Sequence, residues 1–263
     1  GSSPVSASLP KSVGTNEVGG KKFTLTEDES TSTWEFSDST VKLTETSSDG
    51  TWIGNYKYTY DQNKGILSFG YISEVDNGIT ISSVSDYVKK EKQKLEAKGK
   101  TWTDTRLEYY TAEGTAAYNT PLVFKYELNG SMLKLTPNYF SGTLPARGKF
   151  KVSTNSRCIT LGEGEGGRIK IEDIDNSSDT RYYGYPTYSN GSFSGTLYEG
   201  HGEKSVGTIA GTYTTSGTGT SGSTVTLTFT TIPSELTGLE KDKAYTLNQV
   251  SYEDKVYLYT LVE

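Results

Sequence analysis

The sequence predicts an all-β, antiparallel protein, because its composition and a repeated hairpin pattern both fit such a sheet. The 263 residues include 20 Tyr, 29 Gly and only one Met, and aromatic and β-branched side chains pack well on a pleated, half-buried surface. The hydrophobic fraction of 32% is low. It is sufficient for strands that bury one face, and it argues against a parallel sheet that is covered on both faces.

One hairpin pattern occurs twice in the chain. In residues 58–69 an aromatic-x-aromatic strand enters a polar turn with Asn63 and Gly65, and the chain returns with apolar residues at every second position. Residues 124–135 repeat this order without a gap, and residues 34–43 form a related hairpin. We interpret the pattern as the unit from which the sheet is built.

Short strands are expected along most of the chain. The pattern places them at residues 21–25, 50–60, 79–81, 149–153, 157–161 and 168–171. In the aromatic stretch 181–198, Asn190-Gly191 predicts a tight hairpin turn.

The strand pattern is interrupted by one helical stretch. Apolar residues at helical spacing predict a helix over residues 84–98, with Gly99 at its end. The residues of this stripe are Val84, Tyr87, Val88 and Leu95. A second, short helix is predicted from about residue 104 to 113, with Leu107 and Tyr110 facing inward. The lysine-rich face of the first helix is either solvated surface or a docking site for an acidic partner.

The later part of the chain repeats patterns of the earlier part. Residues 243–247 follow the pattern of residues 21–25, and residues 211–213 follow that of residues 50–52. We therefore expect two related β units, residues 18–145 with a helical insertion at 84–114, and residues 146–263. A flexible leader is expected over residues 1–17, and one continuous sheet is the alternative to two units.

Charge and cysteine content limit the possible partners. The formal net charge is −6 with Lys and Arg dispersed, so no basic stripe predicts a nucleic-acid partner. Cys158 is the single cysteine. We expect it to be a small buried residue in a strand, with a reactive thiol or an intermolecular bridge as the alternative.

No apolar run approaches the roughly 20 residues of a membrane span. The Ser- and Gly-rich leader and the scarcity of Cys, Met and His favour an exported protein.

Four features in a fixed order resemble a known group of proteins. They are the strand Lys22-Phe23-Thr24-Leu25, the aromatic hairpin after it, the strand Gly50-Thr51-Trp52, and the hairpin at residues 58–69. Together they resemble the lipocalin-like surface lipoproteins of Gram-negative bacteria and spirochaetes. The resemblance implies small antiparallel barrels or sandwiches, display at the outer membrane or cell surface, and membrane attachment through a lipid anchor. The anchoring cysteine is not visible in this chain, and most members of the group have no assigned activity.

Two patterns suggest polar chemistry. His201 is the only histidine and stands between Glu199 and Glu203, so it is either a general base or metal ligand, or a residue of a Gly-rich surface loop. An oxygen-rich stretch suggests calcium, with Asp173, Asp175 and Asp179 as ligands, and an acidic turn is the alternative. No catalytic residue is assigned, and no cofactor other than calcium is expected.

Clustered tyrosines form the predicted binding site. Tyr182, Tyr183, Tyr185 and Tyr188 occur in one turn-rich stretch, and exposed aromatic faces stack on sugars or anchor protein partners. The alternative is that alternate members fill a barrel. We expect a non-catalytic binding role at the bacterial envelope, with a host macromolecule, a glycan or a small apolar ligand as the partner. A carbohydrate-active hydrolase with paired carboxylates and a purely structural surface protein are the alternatives.

Overall fold

The computed structural model describes residues 8–143, 150–155, 164–165, 168–173, 180–216, 224–251 and 257–263. The first strands are β1 (Lys22–Glu27), β2 (Ser30–Phe36), β3 (Thr40–Ser47), β4 (Gly50–Asp61), β5 (Ile66–Asp76), β6 (Ile79–Ile81), β7 (Leu122–Asn129), β8 (Met132–Thr143) and β9 (Phe150–Asn155). They are followed by β10 (Gly164–Glu165), β11 (Ile169–Asp173), β12 (Arg181–Gly184), β13 (Thr187–Ser189), β14 (Ser192–Glu199), β15 (Lys204–Ser216), β16 (Thr224–Thr231), β17 (Ala244–Ser251) and β18 (Tyr257–Val262). Between β6 and β7 lie the helices α1 (Val84–Ala97) and α2 (Asp104–Asn119).

Eight antiparallel strands close into a first barrel. Their order is β1-β2-β3-β4-β5-β7-β8-β18, and β18 pairs back onto β1 with Phe23 opposite Leu261. Because β18 is the last strand of the sequence, the two ends of the described chain meet in this barrel. Closure gives every one of these strands two neighbours, so the sheet has no unpaired edge.

A second barrel of eight strands shares β8 with the first. Its order is β8-β9-β11-β12-β14-β15-β16-β17, and β17 pairs back onto β8. The first barrel uses residues 132–137 of β8, and the second uses residues 138–143. The predicted all-β fold with two barrel-like units is confirmed.

The predicted division of the chain into a leader and two units can be compared with the strand pairing in the described residues. The proposed division at Ala146 lies outside the described residues, as do Cys158 and the predicted strand 157–161. Strand β18, which the sequence places in the second unit, pairs within the first barrel. In the predicted leader, Val13 exchanges backbone hydrogen bonds with Tyr60 and Gln62 of 2.9 and 3.0 Å, and the Tyr126 hydroxyl donates to Glu17 at 2.8 Å.

Each barrel has its own core, made by the alternation of its strands. In β4, Tyr56 and Tyr58 are buried, and in β16 Val225, Leu227 and Phe229 are buried. Side chains two apart on a strand share a face, so alternate residues fill the barrel while those between them face outward. The predicted turn at Asn190-Gly191 is confirmed: both residues have positive φ, 51° and 79°, as a two-residue hairpin of this type requires.

The helical insertion contains two helices, at the positions of the two helical stretches predicted from residue 84 and from about residue 104. The Ser83 side chain caps α1 by accepting from the Asp86 backbone N–H at 3.0 Å. Helix α2 continues to Asn119 instead of ending at residue 113. Gly114 lies within this continuation and lets the two helices approach closely, because a Cβ there would lie 2.8 Å from Cδ1 of Tyr87. The glycine marks the close approach of the two helices. Tyr110 is buried as predicted, but Leu107 is exposed.

The helix pair connects the two barrels. Tyr109 and Tyr110 of α2 pack on the outward-facing Tyr183 and Tyr198 of the second barrel. On the other side, Lys90 of α1 forms an ion pair of 2.8 Å with the buried Glu74 of β5 in the first barrel. No helix in the described part of the chain is long and apolar enough to cross a membrane.

Closure of the first barrel by β18 can be tested with two neighbouring residues of that strand. Tyr259 faces the core and its ring lies 6.3 Å from that of Trp34, while Leu258 faces outward and is exposed. We expect Tyr259→Ala to lower the free energy of unfolding by about 3 kcal/mol and Leu258→Ala by less than about 0.5 kcal/mol. Urea denaturation measures both. Equal small losses would contradict the docking of β18.

Candidate functional site

A pocket of about 230 Å³ opens at one end of the first barrel. The end is marked by the turns between β1 and β2 and between β3 and β4. The lining residues come from six strands, and most are aromatic or apolar. They are Leu25, Glu27, Ser30, Ser32, Trp34, Leu43, Glu45, Tyr56, Leu122, Phe124, Tyr257 and Tyr259. The pocket is therefore a concave, mainly apolar site with a few polar groups, which is the usual composition of a small-molecule site.

Strand alternation explains how these residues come to share the pocket. In β3, Val41 and Leu43 face the barrel core, and Glu45 is the next residue on the same face. In β2, the residues that face the barrel interior are Trp34, Ser32 and Ser30, in this order toward the mouth of the barrel. Large apolar residues therefore line the floor of the pocket, and hydroxyl and carboxylate groups line its rim.

Aromatic rings form most of the pocket floor. Trp34 meets Phe124 and Tyr259 edge to face, with ring centroids 6.4 and 6.3 Å apart. The indole Nε1 of Trp34 is buried beside the Tyr259 side chain. Burial raises the pKa of Tyr259 to about 12, and a hydrogen bond with Trp34 opposes this shift.

The carboxylate of Glu45 stands at the rim with no cation beside it. Partial burial raises its pKa above the ordinary value of 4.5, while the residue keeps access to solvent. Neither Glu45 nor Glu27 forms an ion pair with a described residue, and the lining contains no Lys, Arg or His. The pocket thus has an uncompensated negative charge at its entrance.

A second, more polar pocket of about 380 Å³ adjoins the first. The two share Ser30, Ser32 and Glu45, and the second is also lined by Asp49 and Asp76. Between them the rings of Trp52 and Tyr56 converge over Gly54 of β4. A Cβ on Gly54 would lie 2.4 Å from Cη2 of Trp52 and 2.8 Å from Cε2 of Tyr56. The rings of Trp52 and Tyr56 can occupy these positions because residue 54 has no side chain.

The four tyrosines of the predicted binding site lie in two different environments. Tyr182 and Tyr188 belong to the core of the second barrel. Tyr183 is buried against the helix pair, and Tyr185 packs beside it, with its ring 5.7 Å from that of Tyr109. The structure thus divides these residues between the barrel interior and the helix interface. Their assignment as ligand contacts stays a prediction.

His201 lies on the edge of this helix interface. Its ring stacks on Tyr183 at 4.5 Å, and its Nδ1 lies 2.9 Å from the Tyr109 hydroxyl. Partial burial lowers the pKa of His201. Among the described residues, no serine hydroxyl or carboxylate forms a hydrogen bond with the imidazole, and the contacts of the ring are with the tyrosines that hold α2.

The predicted calcium ligands lie only partly within the described chain. Asp173 ends β11, where its backbone N–H donates to the Thr180 carbonyl at 3.0 Å, whereas Asp175 and Asp179 lie outside the described residues. In the part of the chain that can be described, no three His, Cys, Asp or Glu side chains converge to hold a metal ion. The calcium site therefore stays a prediction.

Comparison with known proteins adds no relative. No protein-family model, curated protein or solved structure gives a match to this chain. The pocket of the first barrel must therefore be interpreted from its own residues.

Sequence reasoning missed this pocket because its lining belongs to the repeated strands that we interpreted as scaffold. The signal was Glu45, a charged residue at the position where the alternation of Val41 and Leu43 predicts an apolar one.

The raised pKa of Glu45 predicts a pH-dependent penalty on folding. Because the folded state holds this proton more tightly than the unfolded state, the free energy of unfolding decreases as pH rises from about 4.5 through the raised pKa. Glu45→Gln removes the titrating group. We expect this variant to become more stable relative to the unmodified protein as pH rises from 4 to 7. Urea denaturation across this range measures the difference.

The matched control for this titration is Glu35→Gln. Glu35 lies on β2, and its carboxylate is partly exposed and 3.9 Å from Nζ of Lys22. Because this variant removes the same negative charge from the outward face of β2, it shows how much of the pH-dependent difference comes from the change in net charge alone. A flat difference for Glu45→Gln would contradict the partial burial of the Glu45 carboxylate.

Proposed function

We propose that the protein binds a small ligand without changing it chemically, in the aromatic pocket of the first barrel. The observation that carries this proposal is a concave cavity of about 230 Å³ whose floor is formed by Trp34, Phe124 and Tyr259. An apolar cavity of roughly 150 Å³ accommodates benzene. By that measure the pocket accommodates one ring with a short substituent, and a longer ligand would extend into the adjoining polar pocket.

The polar groups of the pocket favour binding over catalysis. The hydroxyls of Ser30 and Ser32 line the rim, above a floor of aromatic rings. A few polar groups of this kind orient a ligand in an apolar pocket through hydrogen bonds. Of the three partner classes predicted from the sequence, a small ligand with an apolar part fits this pocket best, since a macromolecule needs a broad contact surface.

We place this binding role in an exported protein at a bacterial envelope. The support is the scarcity of Cys, Met and His in the sequence and the resemblance of residues 22–25, 50–52 and 58–69 to lipocalin-like surface lipoproteins. A barrel with a ligand pocket at its mouth suits such a role, because a closed sheet can enclose one small molecule.

Filling the pocket should abolish binding without unfolding the barrel. Ser32→Phe places a ring at the rim, whereas the control Thr33→Phe adds the same ring to the next residue, on the outward face of β2. Phenol, toluene, benzoate and benzylammonium serve as one-ring probes. We expect at least one of them to shift the Trp34 indole N–H resonance in the unmodified protein and in Thr33→Phe.

The same probe should lose at least about tenfold in affinity for Ser32→Phe, which corresponds to about 1.4 kcal/mol. Two-dimensional NMR titration measures both the site and the affinity, and the spectrum of each variant shows whether it is folded. Binding of no probe near Trp34, or equal affinity for both phenylalanine variants, would contradict the proposed pocket.

A further inference from the structure

The carboxylates of the pocket differ from several others among the described residues, which have a cationic partner. Glu74 is 2.8 Å from Lys90, and Glu172 is 3.2 Å from Lys170. In the pocket, Glu27 and Glu45 have no cation among the described residues. Partial burial raises the pKa of Glu45 by disfavouring its charged form, and a bound cation would favour that charged form.

The floor of the pocket also favours a cation. Five of its lining residues are aromatic: Trp34, Tyr56, Phe124, Tyr257 and Tyr259. The face of an aromatic ring is negative, and it attracts a cation placed within about 6 Å of the ring centroid, most strongly at Trp.

The surroundings of the pocket are also negatively charged. The adjoining polar pocket is lined by Asp49, Asp76 and the shared Glu45, again without Lys, Arg or His. Within the described parts of the chain, Asp76 alone of these three has a cationic neighbour, Lys94 at 3.3 Å. The formal net charge of the chain is −6. An anionic ligand would therefore meet repulsion at the entrance, and a cationic ligand would meet attraction.

We propose that the ligand of this pocket is a small organic ammonium ion with an apolar body. This inference rests on the proposed binding function and assigns the chemical class of its ligand. The ammonium group lies at the rim beside the Glu45 carboxylate, and the apolar body contacts the rings of Trp34 and Tyr259.

Three probes of nearly equal size separate charge from shape. Phenethylammonium, 2-phenylethanol and phenylacetate share a phenyl ring and a short chain, and they differ in carrying a positive, a neutral or a negative end group. We expect phenethylammonium to bind at least about tenfold more tightly than 2-phenylethanol, because a charge-assisted contact is added. Phenylacetate should bind most weakly. Isothermal titration at pH 7 and low salt measures the three affinities.

A variant of the rim carboxylate provides the second comparison. Glu45→Gln should reduce the affinity for phenethylammonium about tenfold and leave that for 2-phenylethanol within about twofold. Glu35→Gln changes the net charge equally, but its carboxylate lies on the outer face of β2, in an exposed ion pair with Lys22. This control should leave all three affinities within about twofold.

The outcomes distinguish this inference from the proposed function. If 2-phenylethanol or phenylacetate binds as tightly as phenethylammonium, and Ser32→Phe abolishes that binding, the pocket is a ligand site but the ammonium assignment is wrong. If Glu45→Gln and Glu35→Gln weaken phenethylammonium equally, the attraction is a general charge effect and the assignment is likewise overturned. Failure of all three probes to bind would contradict the proposed pocket itself.

Discussion

The backbone hydrogen bonding of β8 is the constraint on which the rest of the structure depends. Each barrel closes only if β8 supplies one of its members, and the strand divides its length between them at about residue 137. An open sheet would leave rows of unpaired N–H and C=O groups. Closure removes these edges, and β18 must return from the end of the chain to complete the first barrel.

The candidate site is a consequence of how the first barrel is filled. Eight strands enclose an interior that side chains can nearly fill, and here large rings occupy most of it. At one end the inward-facing positions change from Trp34 to serine and from Leu43 to Glu45, so the packed interior gives way to a pocket. Partial burial at this rim raises the pKa of Glu45.

Much of the fold could be predicted from the sequence because its signals are local. The alternation in residues 58–69, the positive-φ pair Asn190-Gly191 and the capped start of α1 each depend on neighbours in the chain. The return of β18 to the first barrel could not be predicted in this way. Its pairing with β1 joins the two ends of the sequence, and no local pattern encodes which distant strand becomes a neighbour.

The site was harder to predict than the fold, for a physical reason. A pocket residue such as Tyr56 has the same alternation as a core residue, and only position along the barrel distinguishes them. Conversely, the clustered tyrosines from 182 to 188 suggested an exposed surface. The structure places the Tyr183 ring beneath α2, and the sequence pattern of a strand does not show whether its outer face is covered by another element.

The most direct test of this account is a crystal structure of the protein with phenethylammonium. The account predicts the phenyl ring against Trp34 and Tyr259 in the mouth of the first barrel, with the ammonium group within hydrogen-bonding distance of Glu45. A first barrel with an empty mouth and the ligand bound elsewhere, for example among the tyrosines from 182 to 188, would contradict it.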